Sequence, residues 1–242
     1  MASAQEIIAD EAWEAIALLF SEQGSSDYVG EPVSQAEHSL QAAKCAADAT
    51  KSAAGQHARE EVVLAALLHD CGHMMGLRHK ATTEWMGECG AMHHERIGGD
   101  FVRGLGMSER VATLVQQHVN AKRVSRCPPS ATSCPPRFAW PCACHLRAAH
   151  AIAAPLPPPR QYLTGSNPSY FAKLSPASTT TLGYQGGPFT PEECEAFLRD
   201  PDHKVILLMR TWDEAAKVAG LAVPPLESYR EMVLRNVAAG AE

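Results

Sequence analysis

Hydrophobic residues recur at helical spacing along most of the chain. A first apolar stripe lies on one face of a segment that begins after Ser3 and ends at Gly24. A serine or threonine followed three residues later by glutamate forms a capping box, which marks the start of a helix. Such signals occur at Ser3–Glu6, Ser34–Glu37 and Thr190–Glu193, the last with proline at the first helical position.

The same periodicity predicts the remaining helices. They run from Ser34 to about Ala54, from Glu60 to Gly72, from His94 to Gly104, from Ser108 to Arg123, and from Asp202 to Gly220. Gly72 and Gly76 are expected to loosen the backbone after the strongly apolar helix. We find no strand of convincing length and no internal repeat, so the prediction is an all-α helical bundle that forms a single domain over residues 1–242.

Residues 124–161 do not follow this pattern. They contain nine of the 17 prolines, four of the eight cysteines, four arginines and no acidic residue. The whole chain has a formal net charge of −6, and this segment contributes +4 to it. The rest of the chain therefore has a net charge of −10. Proline at this density is incompatible with a packed helix.

Three interpretations of residues 124–161 stay open. One is a long disordered loop, and another is a zinc knuckle that uses Cys142, Cys144 and His145, although this spacing fits no common zinc site. The third is a retained in-frame intron, because valine codons begin with GT and one glutamine codon ends in AG, and the segment runs from Val124 to Gln161. We favour the intron hypothesis over a natural loop.

Composition narrows the classes of function. A net charge of −6 disfavours a nucleic-acid partner, which would need a basic face. No apolar run reaches the length of a membrane span, and we find no secretory signal near the N-terminus. We therefore expect a cytoplasmic protein with reduced cysteines, no membrane association and no protein partner that the sequence identifies.

The strongest chemical signal is Leu67-Leu68-His69-Asp70-Cys71-Gly72-His73. An apolar helix delivers adjacent His69 and Asp70 at its end, and His73 follows His69 at the i+4 position, on the same face. The carboxylate of Asp70 has two oxygens and can bridge two metal ions. Taken alone, a His-Asp pair at the end of a helix is a weak signal, because such groups are often simply solvated.

Further candidate ligands lie on the other predicted helices, at His38, His94, His118 and Asp213. A lone helical histidine is usually a satisfied polar group rather than a ligand. The ordered set of four imidazoles and two carboxylates is more specific. It suits iron or manganese better than structural zinc.

With these motifs the chain resembles the HD-domain superfamily. Within it, the sequence is most similar to the mixed-valent diiron oxygenases, the group of myo-inositol oxygenase and the hydroxyphosphonate dioxygenases. The stretches that carry the likeness are Tyr28–His38, Leu67–His73, His94–Gly98, Gln117–Arg123, Tyr162–Leu163, Leu174–Ser178, Gln185–Gly187 and Arg210–Lys217. In such relatives Arg123 would pass directly to Tyr162, which supports the intron hypothesis.

The resemblance implies roles for individual residues. The first iron would be held by His38, His69, Asp70 and Asp213, and the second by Asp70, His94 and His118. Tyr28 would occupy the open position of the second iron, and Glu31 would hold the tyrosine loop and let it swing away when substrate binds. The residues around the phosphonate would be His73, Lys122, Ser178, Thr181 and Arg210, and the catalytic group would be Tyr28, Glu31 and His73.

The activity implied is oxidative cleavage of the carbon–phosphorus bond of a small 1-hydroxyalkylphosphonate. It would consume O2 at two iron ions of mixed valence and yield inorganic phosphate and a carboxylate, glycine or glycine betaine. The alternative is an HD-domain phosphohydrolase that uses the same ligands to activate water. A third possibility is a metal-free regulatory HD protein, which the complete ligand set disfavours.

Overall fold

The computed structural model describes residues 3–28, 30–51, 55–124 and 176–240, and of residues 176–179 only the backbone. Within these ranges the chain is helical and forms no strand beyond two isolated bridges. The helices are α1 (Ala4–Gln23), α2 (Gln35–Thr50), α3 (Gln56–Leu68), α4 (Cys71–Arg78), α5 (His94–Gly104), α6 (Glu109–Gln117), α7 (Asn120–Val124), α8 (Pro176–Tyr184), α9 (Pro191–Arg199), α10 (His203–Ala215) and α11 (Arg230–Ala239), with a 3-10 turn at Leu226–Tyr229. The all-α prediction is confirmed.

The three predicted capping boxes are present. Ser3, Ser34 and Thr190 each accept a hydrogen bond from the backbone three residues on, and the glutamate side chain returns the contact. Asp202 stands at the start of α10 but makes no capping hydrogen bond with its side chain, and α10 ends at Ala215 rather than Gly220. Helices α4, α8 and α11 were not predicted, and the helix predicted from Glu60 to Gly72 ends at Leu68.

Helix α3 lies at the centre of the bundle. Every residue from Glu60 to Leu68 is buried, and α3 packs against α2, α6, α10 and α11. A helix that is apolar on all sides is stable only inside a core, because it has no face to present to water. The end of α3 is therefore a fixed point from which His69 and Asp70 project.

The prediction that Gly72 and Gly76 loosen the backbone is wrong, since both lie within α4. A Cβ added at Gly72 would stand 1.9 Å from the carbonyl oxygen of His94. Glycine at this position instead permits α4 and α5 to approach closely, and this approach brings His94 towards Asp70.

The predicted helix from Ser108 to Arg123 is interrupted. Helix α6 ends at Gln117, and α7 begins at Asn120. Val124 is the last residue of α7 and is 4% exposed, whereas the rest of the proline-rich segment 124–161, with the zinc-knuckle candidates Cys142, Cys144 and His145, lies outside the described residues.

Two further findings bear on the expectations from composition. Cys45, Cys71 and Cys89 are free thiols, while the four cysteines of segment 124–161 lie outside the described residues. In the described part of the chain, no helix combines the length and the apolar character that crossing a membrane requires.

Candidate metal centre

His69 and Asp70 form the junction between α3 and α4. His69 caps the end of α3, and Asp70 precedes α4 with φ −105° and ψ 10°. Neighbouring residues in a continuous helix point about 100° apart. The irregular backbone at Asp70 lets both side chains face the same interior space, where they are 2% and 4% exposed.

His38 meets His69 from the middle of α2. The Nε2 atoms of the two rings are 3.1 Å apart. The Nδ1 atom of His38 lies 2.9 Å from the carbonyl oxygen of Ala216, and that of His69 lies 2.8 Å from the carbonyl oxygen of Ala66. Because a carbonyl can only accept, each Nδ1 donates, and each Nε2 of the neutral ring presents a lone pair.

His94 and His118 form a second pair on the other side of Asp70. Their Nε2 atoms are 3.3 Å apart. The Nδ1 atom of His118 donates to the carbonyl oxygen of Val115 at 2.7 Å. The Nδ1 atom of His94 has no hydrogen-bond partner among the described residues, and the nearest carboxylate oxygen, from Glu95, is 3.7 Å away.

The two carboxylate oxygens of Asp70 serve different histidine pairs. Oδ2 lies 3.6 Å from His38 Nε2 and 3.4 Å from His69 Nε2. Oδ1 lies 3.5 Å from His94 Nε2 and 3.2 Å from His118 Nε2. Burial alone would raise the pKa of Asp70, but the surrounding imidazoles, above all His69, hold it well below its usual range. Asp70 is therefore an anion placed between two pairs of histidine Nε2 atoms.

Asp213, on α10, completes the first cluster. Its Oδ1 atom lies 3.5 Å from His38 Nε2 and is buried without a hydrogen-bond partner among the described residues. Its Oδ2 atom accepts a hydrogen bond from Arg210. An orphaned carboxylate oxygen in the interior is costly unless a cation satisfies it.

These donors fit a pair of metal ions. Two imidazole nitrogens that face each other can share one proton or one metal ion, and this arrangement occurs twice, once at each oxygen of Asp70. Burial lowers the pKa of His69, but the charge of Asp70 raises it to about 9 overall, so this cluster favours a bound cation. The donors are imidazole and carboxylate without thiolate, which suits iron or manganese. One ion would be held by His38, His69, Asp70 and Asp213, and the other by Asp70, His94 and His118.

His73 is close enough to Asp70 and His94 to compete with His118 as a ligand. The hydrogen bonds separate the two candidates. The backbone N–H of Ala91 donates to His73 Nδ1 at 3.1 Å, so the neutral ring carries its proton on Nε2 and offers a donor there rather than a lone pair. The ring of His73 stacks on that of His94 at 3.9 Å. His73 is thus arranged to donate a proton or hydrogen bond beside the candidate metal sites, whereas the neutral ring of His118 presents a lone pair.

Tyr28 covers the first cluster. Its hydroxyl donates to Asp70 Oδ2 at 2.9 Å, and its ring stacks on His38 at 3.9 Å. The turn that carries it has Gly30 at φ 79°, and the Glu31 N–H donates to the Tyr28 carbonyl. The hydroxyl thus lies on the Asp70 oxygen that faces His38 and His69. The place of Tyr28 at the second metal, which the resemblance implied, stays a prediction.

A cavity of about 80 Å³ adjoins the cluster. Its charged lining includes Asp70, Asp213, Lys122, Arg210 and the Glu31–Lys217 pair. Its remaining walls are Tyr28, Gln35, His73, Met86, Cys89, Gly90, His94, His118, Val119, Thr181 and Gln185. Carboxylates that could hold metal ions and cationic side chains therefore meet in one small space.

The cations of this cavity are buried. Lys122 Nζ donates to Thr181 Oγ1 at 2.6 Å, and burial and then the charge of Arg210 lower the pKa of Lys122 from 10.5 to about 7. Arg210 contacts the carboxylates of Asp213 and Glu214 on its own helix. Among the described residues, the hydrogen-bond partner of the Lys122 amine is a neutral hydroxyl. The amine is therefore suited to bind an anion.

The structure brings together every predicted site residue whose side chain it describes. The side chain of Ser178 lies outside the described residues, although its backbone belongs to α8. Lys217 was not predicted. It follows Asp213 by four residues, as Lys122 follows His118, so a spacing that places a cation near a candidate ligand was present in the sequence.

Comparisons with known proteins agree with this geometry. A family model described as the HD domain matches residues 36–152, a range that includes His38, His69, Asp70, His94 and His118. An uncharacterized protein of Acanthamoeba polyphaga mimivirus is 29% identical over 216 residues, which cover 89% of this chain and 77% of that protein.

Two further relatives have named activities. A [1-hydroxy-2-(trimethylamino)ethyl]phosphonate dioxygenase (glycine-betaine-forming) of Leisingera caerulea is 31% identical over 228 residues, covering 93% of this chain and 89% of the relative. A hydroxymethylphosphonate dioxygenase of Gimesia maris is 31% identical over 215 residues, covering 89% and 83%. The family resemblance of the sequence is thereby confirmed: the chain belongs to the HD-domain proteins, in the family that contains these phosphonate dioxygenases.

Proposed function

We propose that the protein is a diiron oxygenase that uses O2 to cleave the carbon–phosphorus bond of a small 1-hydroxyalkylphosphonate, releasing phosphate and a carboxylate. The observation that carries this proposal is the position of Asp70. Each of its oxygens faces one pair of histidine Nε2 atoms, so one residue can bridge two ions. The named activities of two relatives support the same reaction class.

The metals would supply the redox chemistry that side chains lack, namely activation of O2 and oxidation of the hydroxylated carbon. His38, His69 and Asp213 would hold the first ion, His94 and His118 the second, with Asp70 shared. The Nδ1–carbonyl hydrogen bonds of His38, His69 and His118 fix the tautomer and orientation of these ligands.

The phosphonate would bind on the side of Lys122. The amine is buried and within hydrogen-bond distance of Thr181, so both groups can donate to the same anion. Arg210 adds a guanidinium held in place by Asp213, and Ser178 on α8 is proposed as a further donor. Charge-assisted hydrogen bonds of this kind are about twice as strong as neutral ones, which suits recognition of a dianion.

His73 would act at the substrate rather than at a metal. Its Nε2 carries the proton, since Nδ1 accepts from Ala91. From its place over the His94 ring it can donate a hydrogen bond to a phosphonate oxygen or hold a proton for the leaving phosphate. Tyr28 and Glu31 would cover the centre until substrate displaces them and would exclude water from it.

The alternative is a phosphohydrolase, which the same donor set could support. A hydrolase has no need of a displaceable tyrosine hydroxyl beside its bridging carboxylate. Here the Tyr28 hydroxyl occupies the space beside Asp70 Oδ2, which favours the oxygenase.

The test measures phosphate release by the iron-loaded protein with and without O2. The substrates are hydroxymethylphosphonate, 2-amino-1-hydroxyethylphosphonate and 1-hydroxy-2-(trimethylamino)ethylphosphonate, and a phosphate ester serves as the hydrolase substrate. We expect O2-dependent release from at least one phosphonate and no release from the ester. Asp70→Asn should abolish the reaction, while Asp48→Asn, at an exposed helical site, should retain it. Release from the ester without O2 would establish the phosphohydrolase instead.

A further inference from the structure

Lys217 lies just beyond α10 and lines the cavity beside Asp213 and Arg210. Its Nζ atom is 3.0 Å from Glu31 Oε1, and the two side chains are only 13% and 14% exposed. This ion pair joins parts of the chain that are 186 residues apart. Because it is largely shielded from water, it is weakened less by screening than a surface pair.

Glu31 belongs to the turn that carries Tyr28. The Glu31 N–H donates to the Tyr28 carbonyl, and the Tyr28 N–H donates to the Val33 carbonyl, each at 3.0 Å. The turn is therefore tied down at two points, by Tyr28 on Asp70 and by Glu31 on Lys217. If Glu31 left Lys217, the hydrogen bond from Tyr28 to Asp70 would be the one of these two side-chain contacts that remained.

The three cations of the cavity differ in their partners. Lys122 faces a neutral hydroxyl, and Arg210 is bound to carboxylates of its own helix. Lys217 is bound to the Tyr28 turn, while its charge is also felt at Lys122 and Asp213. Its flexible four-carbon stem lets the ammonium change partner without movement of the backbone.

We propose that Lys217 exchanges Glu31 for the phosphonate when substrate binds, and thereby couples anion binding to release of the turn that carries Tyr28. Lys217 is then both a third phosphonate-binding cation and the residue that links binding to the uncovering of the metal centre. This proposal rests on the proposed phosphonate-binding function. The physical basis is thermodynamic linkage. The anion and Glu31 compete for the same ammonium, so the anion can favour the open turn only by the free energy with which it displaces Glu31.

The test uses the metal-containing protein as purified, with inorganic phosphate as the probe. Phosphate affinity is measured by titration calorimetry, and opening of the turn by amide hydrogen exchange of peptides covering residues 26–35. In the unmodified protein phosphate should accelerate exchange in this turn. Lys217→Met should show fast exchange without phosphate, no further change with it, and affinity weakened by about tenfold.

A second variant separates coupling from a structural role. Glu31→Gln frees Lys217 and should strengthen phosphate binding while it speeds exchange in the turn, the opposite effect on affinity to Lys217→Met. Lys217→Arg should keep both the affinity and the response. Lys44→Met, which removes an exposed ion pair with Asp48, should behave as the unmodified protein.

Three outcomes would overturn the coupling: phosphate that leaves exchange of the turn unchanged, equal weakening of phosphate binding in Glu31→Gln and Lys217→Met, or no phosphate binding by the unmodified protein. The proposed oxygenase activity is judged separately, by O2-dependent phosphate release. A protein that shows the coupling but releases no phosphate from any hydroxyphosphonate would retain the Lys217 role and lose the proposed reaction.

Discussion

The Nε2 atoms of His38 and His69 face each other at 3.1 Å, while the Nδ1 atoms of both rings donate to main-chain carbonyls. The pair cannot carry a proton on each Nε2. Burial and the neighbouring His69 lower the pKa of His38 to about 4, which keeps its ring neutral at physiological pH. The charge of Asp70 raises the pKa of His69 to about 9 against the effect of burial, so either a proton on His69 Nε2 or a metal ion can lie between the two nitrogens. His94 and His118 face each other in the same way.

The first prediction concerns metal content. Asp70→Ala should lose both metal ions, because each oxygen of Asp70 serves one histidine pair. His118→Ala should lose the second ion and retain part of the first. Elemental analysis of purified variants provides the measurement, with Asp48→Ala as the control. One full equivalent of metal in Asp70→Ala would show that the carboxylate does not bridge.

The second prediction concerns pH and Lys122. Its pKa in the folded protein is about 7, against 10.5 for an ordinary lysine, so the amine is charged below about pH 7 and neutral above it. An anion binds the charged form, and phosphate affinity should therefore fall as the pH rises through 7 and beyond. Binding near pH 8 should take up a proton, which calorimetry in buffers of different ionisation enthalpy detects.

The titration of Lys122 affects stability and anion binding in opposite directions: phosphate affinity falls as the pH rises, whereas the contribution of Lys122 to stability increases. Between about pH 7 and 10.5 the unfolded chain holds a proton on Lys122 that the folded chain has lost, so this lysine's contribution to stability rises with pH. Lys122→Met should remove both pH effects and weaken phosphate binding by roughly 1.5–3 kcal/mol. Proton uptake that persists in Lys122→Met would assign it to another group. Arg210→Ala is a poorer probe, because it also leaves the Asp213 carboxylate unpaired.

The third prediction concerns Tyr28. Tyr28→Phe should keep its metal, because the histidines and carboxylates that hold it are untouched, yet it removes the hydroxyl beside Asp70 Oδ2. If the phenol reaches a ferric ion, the visible charge-transfer band of the oxidised protein disappears in the variant. Identical optical spectra of the variant and the unmodified protein would leave Tyr28 as a packing residue on His38.

Local signals in the sequence accounted for much of the fold. Capping boxes at Ser3, Ser34 and Thr190 and the apolar run in α3 depend on a few neighbouring residues, and each produced the expected helix. The break between α6 and α7 and the close approach at Gly72 depend on packing between distant segments. A pattern of hydrophobic residues does not contain that information.

In the candidate site, too, some features could be predicted from the sequence and others depend on tertiary contacts. The types and order of His38, His69, Asp70 and Asp213 were sufficient to predict which residues come together. The assignment of each Asp70 oxygen to one histidine pair, and the side on which Tyr28 lies, are set by hydrogen bonds to main-chain carbonyls and by ring stacking. Such contacts have no signature in the linear sequence.

The fourth prediction tests the contact between α4 and α5. Gly72→Ala would place a methyl group 1.9 Å from the His94 carbonyl oxygen, and backbone at that distance must move. We expect a loss of about 3 kcal/mol in the free energy of unfolding, together with reduced metal content because His94 shifts. Gly104→Ala, where a Cβ meets nothing within 4 Å, is the matched control and should change stability by about 1 kcal/mol or less. Equal urea midpoints for the two variants would contradict the close-approach argument.

The last prediction concerns the proline-rich segment, which we propose is a retained intron. Its N-terminal flank is anchored: Arg123 donates to the Gly187 carbonyl, and its guanidinium lies 4.3 Å over the ring of Phe189. Deleting residues 124–161 joins Arg123 to Tyr162, and since closure entropy depends only weakly on loop length, this should raise soluble yield and keep activity. A variant with a Gly/Ser linker of equal length separates length from sequence. Lower activity on deletion, with peptides of the segment detected in the natural protein, would make it a functional loop.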